Sequence, residues 1–470
     1  MAAAIAARVY FCIGPIFSDD AFYNYLAYTL WQGDFAKDYL GYGTCLLRVN
    51  TLVLTALAYA IFGANEFATM IFPMLFSLAN VALAYHLAKL WTGAENVARV
   101  SALLMAFLPT DVIFATINFT DSPSALFINL GIYFLYRAHV RQNLCDSLVS
   151  GLCFFLSIQF KINAFYAAIP LAALLIYVLL RSKKTCVYLL VPLLFIAGNF
   201  ALEALIYGWM RGDFFYHLNL LENNNRFARN FFLVRGGNAP ADFTAAMLKR
   251  ALVLNPRFVF LRRFHLFLPA LAALHGALLW HKKQHRLLVY WFAGLCLVFI
   301  VFTTSFSRYQ PLNLWFSWYI FPLFMPAVLL SALLLARLPA RLRQVLILLY
   351  LAGSVIMCQR YESNLGKPGL QALRMLLRQH PDKIVFTDHH TQAALDLIDG
   401  YRTPLRTRRI PGESFDWQAV QKNDWILVHH LHVTEQKFLD FRFPDFSVLQ
   451  PPEFEVILQR KDFTVFEKRR

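Results

Sequence analysis

Two adjacent carboxylates, Asp19 and Asp20, open the segment Phe17-Ser18-Asp19-Asp20-Ala21-Phe22-Tyr23, directly after the first apolar stretch of the chain. A carboxylate held where a chain leaves an apolar medium is partly desolvated, which raises its basicity and suits it to act as a general base. The plainer reading is a solvated helix start, with Ser18 or Asp19 as N-cap and the acids favoured by the helix dipole. A third acid, Asp121, stands in Asn118-Phe119-Thr120-Asp121-Ser122-Pro123, at an N-cap-like position before a proline suited to a helix start. Cations gather between 209 and 260, where Arg211, Arg226, Arg229, Arg235, Lys249, Arg250 and Arg257 fall. Acids and cations on one face suit a pair of substrates, one bearing phosphate and the other a hydroxyl.

The elements between these residues are what would bring them to one face. Of 470 residues 58% are hydrophobic and 15% charged, with a mean hydropathy of +0.48, whereas soluble globular chains carry about 25% charged residues. Apolar windows predict spans near 3–18, 67–90, 97–115, 122–138, 147–160, 162–180, 185–208, 261–280, 287–303, 316–336 and 343–358, about eleven at roughly 20 residues each. The first does not read as a cleavable signal peptide, since no small-residue cleavage site precedes Asp19. With the N-terminus cytoplasmic, the inner loops hold Arg137 and Arg141, then Arg181, Lys183 and Lys184, then Lys282, Lys283 and Arg286, then Arg337, Arg341 and Arg343, as the positive-inside rule requires. Segments 19–66, 209–260 and the C-terminal part then lie outside. The apolar helix at 46–62, with Arg48 near its start, is predicted to lie on the outer membrane surface.

The net charge of +16 fits basic inner loops and anionic lipid headgroups. It does not point to nucleic acid, because no basic helix or aromatic–basic platform accompanies it. Seven cysteines without close pairs give neither a disulfide framework nor zinc spacing.

From about 360 the apolar runs shorten to strand length, at 383–387, 425–428, 454–458 and 463–466, with helix-like stretches at 391–399 and 433–440. This order predicts a small α/β domain over 359–470 beside a membrane domain over 1–358. No Gly-rich turn follows its first strand, so no phosphate-cradling fingerprint is present. His429, His430 and His432 end a predicted strand and read as polar surface rather than a metal site.

The order of these motifs resembles the opening of the GT-C glycosyltransferases, above all the lipid A aminoarabinose transferases and the protein O-mannosyltransferases. Those families begin with an Asp-Glu pair followed by Tyr and Ala at the offsets that Tyr23 and Ala27 occupy here, and a surface helix ending like Phe62-Gly63-Ala64-Asn65-Glu66 follows. Phe119-Thr120-Asp121, Gln159-Phe160-Lys161 and Ser307-Arg308-Tyr309 extend the resemblance over roughly 15–340. It implies an all-α polytopic membrane protein with juxtamembrane helices on its outer face. Asp19 falls on the acceptor-activating Asp of the family, Asp20 on the neighbouring Glu and Asp121 on a second acidic position. Lys161 matches a family Lys. Arg48 lies near a Lys or His that precedes a Pro-Pro pair, for which this chain has Val49-Asn50.

The activity implied is inverting transfer of a hexosyl or pentosyl group from a polyprenyl-phosphate donor to a hydroxyl of lipid A, another glycan or a protein. The expected location is the periplasmic face of a bacterial inner membrane. A carboxylate, Asp19 or Asp20, takes the proton of the acceptor hydroxyl, and Arg48, Lys161, Arg226, Arg229, Arg235 and Arg308 answer the lipid phosphate. Tyr23 and Tyr309 are the expected substrate contacts. No cofactor is implied, and no His/Cys cluster at metal-ligand spacing lies near the site. Two alternatives stand beside this reading. A secondary transporter would show an internal repeat and ionisable residues at mid-membrane, and neither is evident. A lipid-linked polysaccharide polymerase or ligase would share the outer site but lack the Asp-Asp opening.

Overall fold

The computed structural model describes the chain except residues 17–18, 35–46, 180–182, 221, 223–246, 262–267, 283–284, 303–311, 313, 315–316, 365–366, 399–400, 402–406, 411–416, 431–448, 450–452, 461–462 and 470. Helices α1 (Ala2–Tyr10), α2 (Asp19–Trp31), α3 (Val49–Phe62), α4 (Glu66–Thr92), α5 (Glu95–Ala106), α6 (Pro109–Phe114), α7 (Asp121–Arg141) and α8 (Leu144–Phe160) lead to a 3₁₀ turn, Ile162–Ala167. Then come α9 (Ala168–Leu179), α10 (Lys183–Arg211), α11 (Asn255–Leu261), α12 (Leu268–Leu279), α13 (Arg286–Val301), α14 (Phe321–Arg337), α15 (Ala340–Asn364) and α16 (Lys367–Gln379).

Three helical stretches, Glu66–Thr92, Val187–Met210 and Ala340–Ser363, are long and apolar enough to cross a membrane. Shorter apolar helices accompany them, among them Leu144–Phe160 and Phe321–Arg337. Among the described residues, three helices thus meet the length and composition of a crossing, and the expected eleven go beyond them. Two expected spans are broken for identifiable reasons. The stretch 3–18 is helical only to Tyr10, because Gly14 takes a left-handed φ of +76° and Pro15 follows it, and the residue before a proline disfavours helix. The stretch 97–115 restarts at Pro109, which fits the first turn of a helix and not its interior.

α14 is the central helix, with nearly every residue from Phe321 to Leu335 buried. Around it, small residues let backbones approach closely. Ser157 Oγ donates to Ser124 O at 2.8 Å and Ser150 Oγ to Gly131 O at 2.7 Å, joining α7 to α8. Arg8 and Asp111, both fully buried, pair at 2.6 Å, and Arg8 also donates to Ser77 Oγ at 2.7 Å and Ala106 O at 3.0 Å. Thus α1 is fastened to the break between α5 and α6.

The C-terminal part forms a five-stranded sheet of order β2-β1-β3-β5-β4, from β1 (Val385–Thr387), β2 (Thr407–Arg409), β3 (Trp425–His429), β4 (Phe454–Gln459) and β5 (Phe463–Lys468), with helix α17 (His389–Ile398) after β1. β1 pairs in parallel with β2 and β3, and β5 runs antiparallel to β3 and β4. The expected helix at 433–440 lies outside the described residues. α17 packs on α2, and Ala21 of α2 joins the buried cluster of Leu373, Leu377, Val385 and Trp425.

Candidate active site

Four chain segments place the charged residues. Helix α2 begins with Asp19 and Asp20 in its first turn, where the unsatisfied N–H groups favour negative charge. The two acids face different surroundings. Asp20 is fully buried and its Oδ2 accepts from Ile16 N at 2.8 Å. Asp19 is exposed. Helix α7 begins with Asp121, whose carboxylate is buried and paired with the Lys161 ammonium. Lys161 follows the end of α8 in an extended conformation, a favourable place for a cation. Its Nζ also lies 4.5 Å from the centroid of the Tyr319 ring. Arg48 stands at the start of α3, where the dipole disfavours a cation.

A polar lattice fixes these segments against one another. Asn118 Nδ2 donates to Asn24 Oδ1 at 2.7 Å and to Thr55 Oγ1 at 3.0 Å, tying the approach to Asp121 to the helices that carry Asp19 and Arg48. Asn50 Nδ2 donates to Leu156 O at 3.1 Å, tying the start of α3 to the helix that ends before Lys161. Asn24 and Asn118 are almost wholly buried, so these bonds form away from competing water and hold the register firmly.

The resulting electrostatics couple all four charges. Loss of hydration raises the Asp19 carboxyl above its ordinary range, Lys161 and Arg48 oppose the rise, and Asp121 adds to it. Because solvent still reaches Asp19, this shift is smaller than full burial would give. Burial likewise raises Asp121 and lowers Lys161, each opposed by the other's charge. Arg48 is only 9% exposed, and among the described residues its Nε and Nη1 have no hydrogen-bond partner. Unmet guanidinium donors beside a desolvated carboxylate cluster can receive an anion such as a phosphate.

The structure thus brings Asp19, Asp121, Lys161 and Arg48 together, with Asp20 turned to the backbone. Tyr23 is 4% exposed and packs in the main apolar core. Arg226, Arg229, Arg235, Arg308 and Tyr309 lie outside the described residues. Tyr319, Asn24, Thr55 and Asn118 were not anticipated from sequence. Among the described residues, no group of three His, Cys, Asp or Glu side chains is arranged to hold a metal ion.

The fold is similar throughout its length to a known one. The crystal structure of ArnT from Cupriavidus metallidurans in the apo state overlays 99% of this chain and 96% of its own, with a TM-score of 0.61 at 13% identity. The form of that protein bound to undecaprenyl phosphate gives a TM-score of 0.59 at 14% identity over the same shares. The chain has the fold of the GT-C glycosyltransferases. An oligosaccharyltransferase from Archaeoglobus fulgidus, tethered to an acceptor peptide, also overlays this chain, over 100% of it and 73% of the oligosaccharyltransferase, with a TM-score of 0.53 at 12% identity. Residues 51–202 match the sequence family of dolichyl-phosphate-mannose-protein mannosyltransferases. An uncharacterized protein of Aquifex aeolicus is 26% identical over 213 residues, which cover 42% of this chain and 42% of that relative. The match therefore spans less than half of that relative's length.

Proposed function

We propose that the chain is a glycosyltransferase that moves a sugar from a polyprenyl-phosphate donor to a hydroxyl-bearing acceptor, with inversion, at the periplasmic face of a bacterial inner membrane. The observation that carries this reading is the meeting of Asp19, Asp121, Lys161 and Arg48, from separate segments, in one electrostatic cluster. Asp19 takes the proton of the acceptor hydroxyl, and its accessible carboxylate suits it better than Asp20, which accepts from the backbone. The hydroxyl oxygen bonds to the anomeric carbon while the bond from that carbon to the phosphate oxygen breaks. The electron pair leaves with the phosphate, where Arg48 and Lys161 meet the developing charge. Asp121 is a positioning residue that holds Lys161 in place. The acceptor is a glycan, lipid A or a protein.

The test is transfer of radiolabelled sugar from a panel of polyprenyl-phosphate sugars by purified wild type and Asp19→Asn. Wild type is expected to transfer at least one sugar. The variant should lose at least the hundred- to ten-thousand-fold, roughly, that general-base catalysis supplies, with donor binding intact. Undiminished turnover in Asp19→Asn removes Asp19 as the base. Wild type that binds no donor overturns the reading as a whole.

A further inference from the structure

A second titratable cluster lies apart from these four charges and has no part in the reaction above. Glu203 sits within Val187–Met210, a stretch long and apolar enough to cross a membrane, where an ionisable side chain is expensive and marks function. His217 Nδ1 lies 2.6 Å from Glu203 Oε2. Gln159 Nε2 donates to Glu203 Oε1 at 2.8 Å and to Asn199 Oδ1 at 2.6 Å. Both carboxylate oxygens are therefore engaged.

Two atoms at the rim of this network are not engaged. His217 is 6% exposed and Asn199 is 0% exposed, yet among the described residues His217 Nε2 and Asn199 Nδ2 have no hydrogen-bond partner. Buried polar atoms left unmet are rare, and each calls for a water or a ligand. With the imidazole proton on Nδ1, shared with Glu203, Nε2 presents a lone pair, while Asn199 Nδ2 presents a donor. An acceptor and a donor together match a hydroxyl group, which gives one hydrogen and receives another. The Glu203 carboxylate disfavours phosphate at this spot. Gln159 is two residues from Lys161, so the end of α8 links this network to the four charges.

We propose that Asn199 and His217, held by Gln159 and Glu203, form the subsite for hydroxyl groups of the donor's sugar. This rests on the transfer reading above, in which the sugar is joined directly to the phosphate met by Lys161 and Arg48.

The test compares affinities of the purified full-length protein for undecaprenyl phosphate and for undecaprenyl-phosphate hexose, pentose and amino sugar, by calorimetry in lipid nanodiscs. His217→Asn keeps an amide nitrogen where Nδ1 stood, and so the bond to Glu203, but removes Nε2. His217→Gln keeps a polar atom near Nε2 and serves if the first variant does not fold. In wild type at least one sugar-bearing lipid should bind at least tenfold more tightly than bare lipid phosphate. His217→Asn should lose that advantage while binding bare lipid phosphate unchanged, and His217→Gln should retain part of it. An advantage that His217→Asn leaves untouched, or no advantage for any sugar, overturns the subsite and leaves Nε2 facing an ordered water. If Asp19→Asn abolishes transfer while sugar affinity survives His217→Asn, the transfer reading stands and the subsite falls. If the sugar-dependent affinity vanishes in His217→Asn but wild type transfers nothing, the subsite stands and the reaction falls.

Discussion

Tyr28 and Tyr401 stack face to face, with ring centroids 3.9 Å apart and planes 9° from parallel. Tyr28 belongs to the helix that begins with Asp19, and Tyr401 follows α17, so this contact joins the C-terminal part to the back of the proposed catalytic helix. Tyr401 holds a φ of 53°, an uncommon conformation for a bulky residue. Arg374 of α16 reinforces the junction by pairing with Glu66 at 2.6 Å. The C-terminal part thus buttresses α2 together with α3, whose Tyr59 ring lies 6.4 Å from that of Tyr401.

Removal of this buttress should loosen α2. An aromatic pair contributes about 0.5–1.5 kcal/mol beyond its buried area, and about 1.4 kcal/mol is a factor of ten in an equilibrium. Tyr401→Ala is therefore expected to speed amide exchange in residues 20–31 by up to about tenfold, with exchange in α14 unchanged. Hydrogen-exchange mass spectrometry of the two proteins checks this. Unchanged exchange in α2 would show that the stack is incidental.

The acidic limb of the pH–rate profile should report Asp19. Partial loss of hydration raises this carboxyl, Lys161 and Arg48 pull it back, and Asp121 pushes it further up. A general base works when deprotonated, so kcat/KM rises with pH through this titration, at a higher pH than the ordinary carboxylate value of about 4. Lys161→Met removes the strongest opposing cation and should move the limb to higher pH. Asp121→Asn removes a like charge and frees Lys161 to face Asp19, so the limb should move to lower pH. Both variants will be slower, because each leaves a buried partner unpaired, but the opposite displacements of the limb are the signature. Displacement of both in one direction would assign the limb to another group.

How far these features can be read in the sequence depends on the distance over which they are encoded. The strands at 425–429 and 463–468 are legible because β-branched and aromatic residues dominate them, and those fit a half-buried pleated surface. The three-residue β2, Thr407-Arg408-Arg409, is not, since it forms only by pairing with β1. Asp19, Asp121 and Lys161 are legible as residues of motifs at helix ends. The lattice that brings them together is not, because Asn118 meets Asn24 across 94 residues and Thr55 across 63. Glu203 and His217 escape for a related reason. Glu203 is a lone acid in an apolar run and His217 lies 14 residues on, and only the folding back of the chain after α10 makes them a pair. Pro109 and Pro15 were visible, but continuous hydropathy across them hid the breaks they impose.

Arg48 sets ligand affinity against stability. It occupies the wrong end of a helix for a cation, and among the described residues its Nε and Nη1 have no partner in a nearly buried setting. Unmet buried donors cost about 1–3 kcal/mol, so Arg48→Met should leave the ligand-free protein as stable as wild type or more stable by about 1 kcal/mol. Adding undecaprenyl phosphate should reverse the order. A ligand present at a hundred times its Kd stabilises the folded state by about 2.7 kcal/mol, and wild type should gain that shift while Arg48→Met gains little. Arg48→Lys keeps the charge but not the planar fork, and should fall between them. Thermal denaturation of the three proteins in nanodiscs, with and without the lipid phosphate, provides the measurement. An equal lipid-induced shift in all three would mean that the phosphate binds elsewhere, and the two unmet donors would then need another partner.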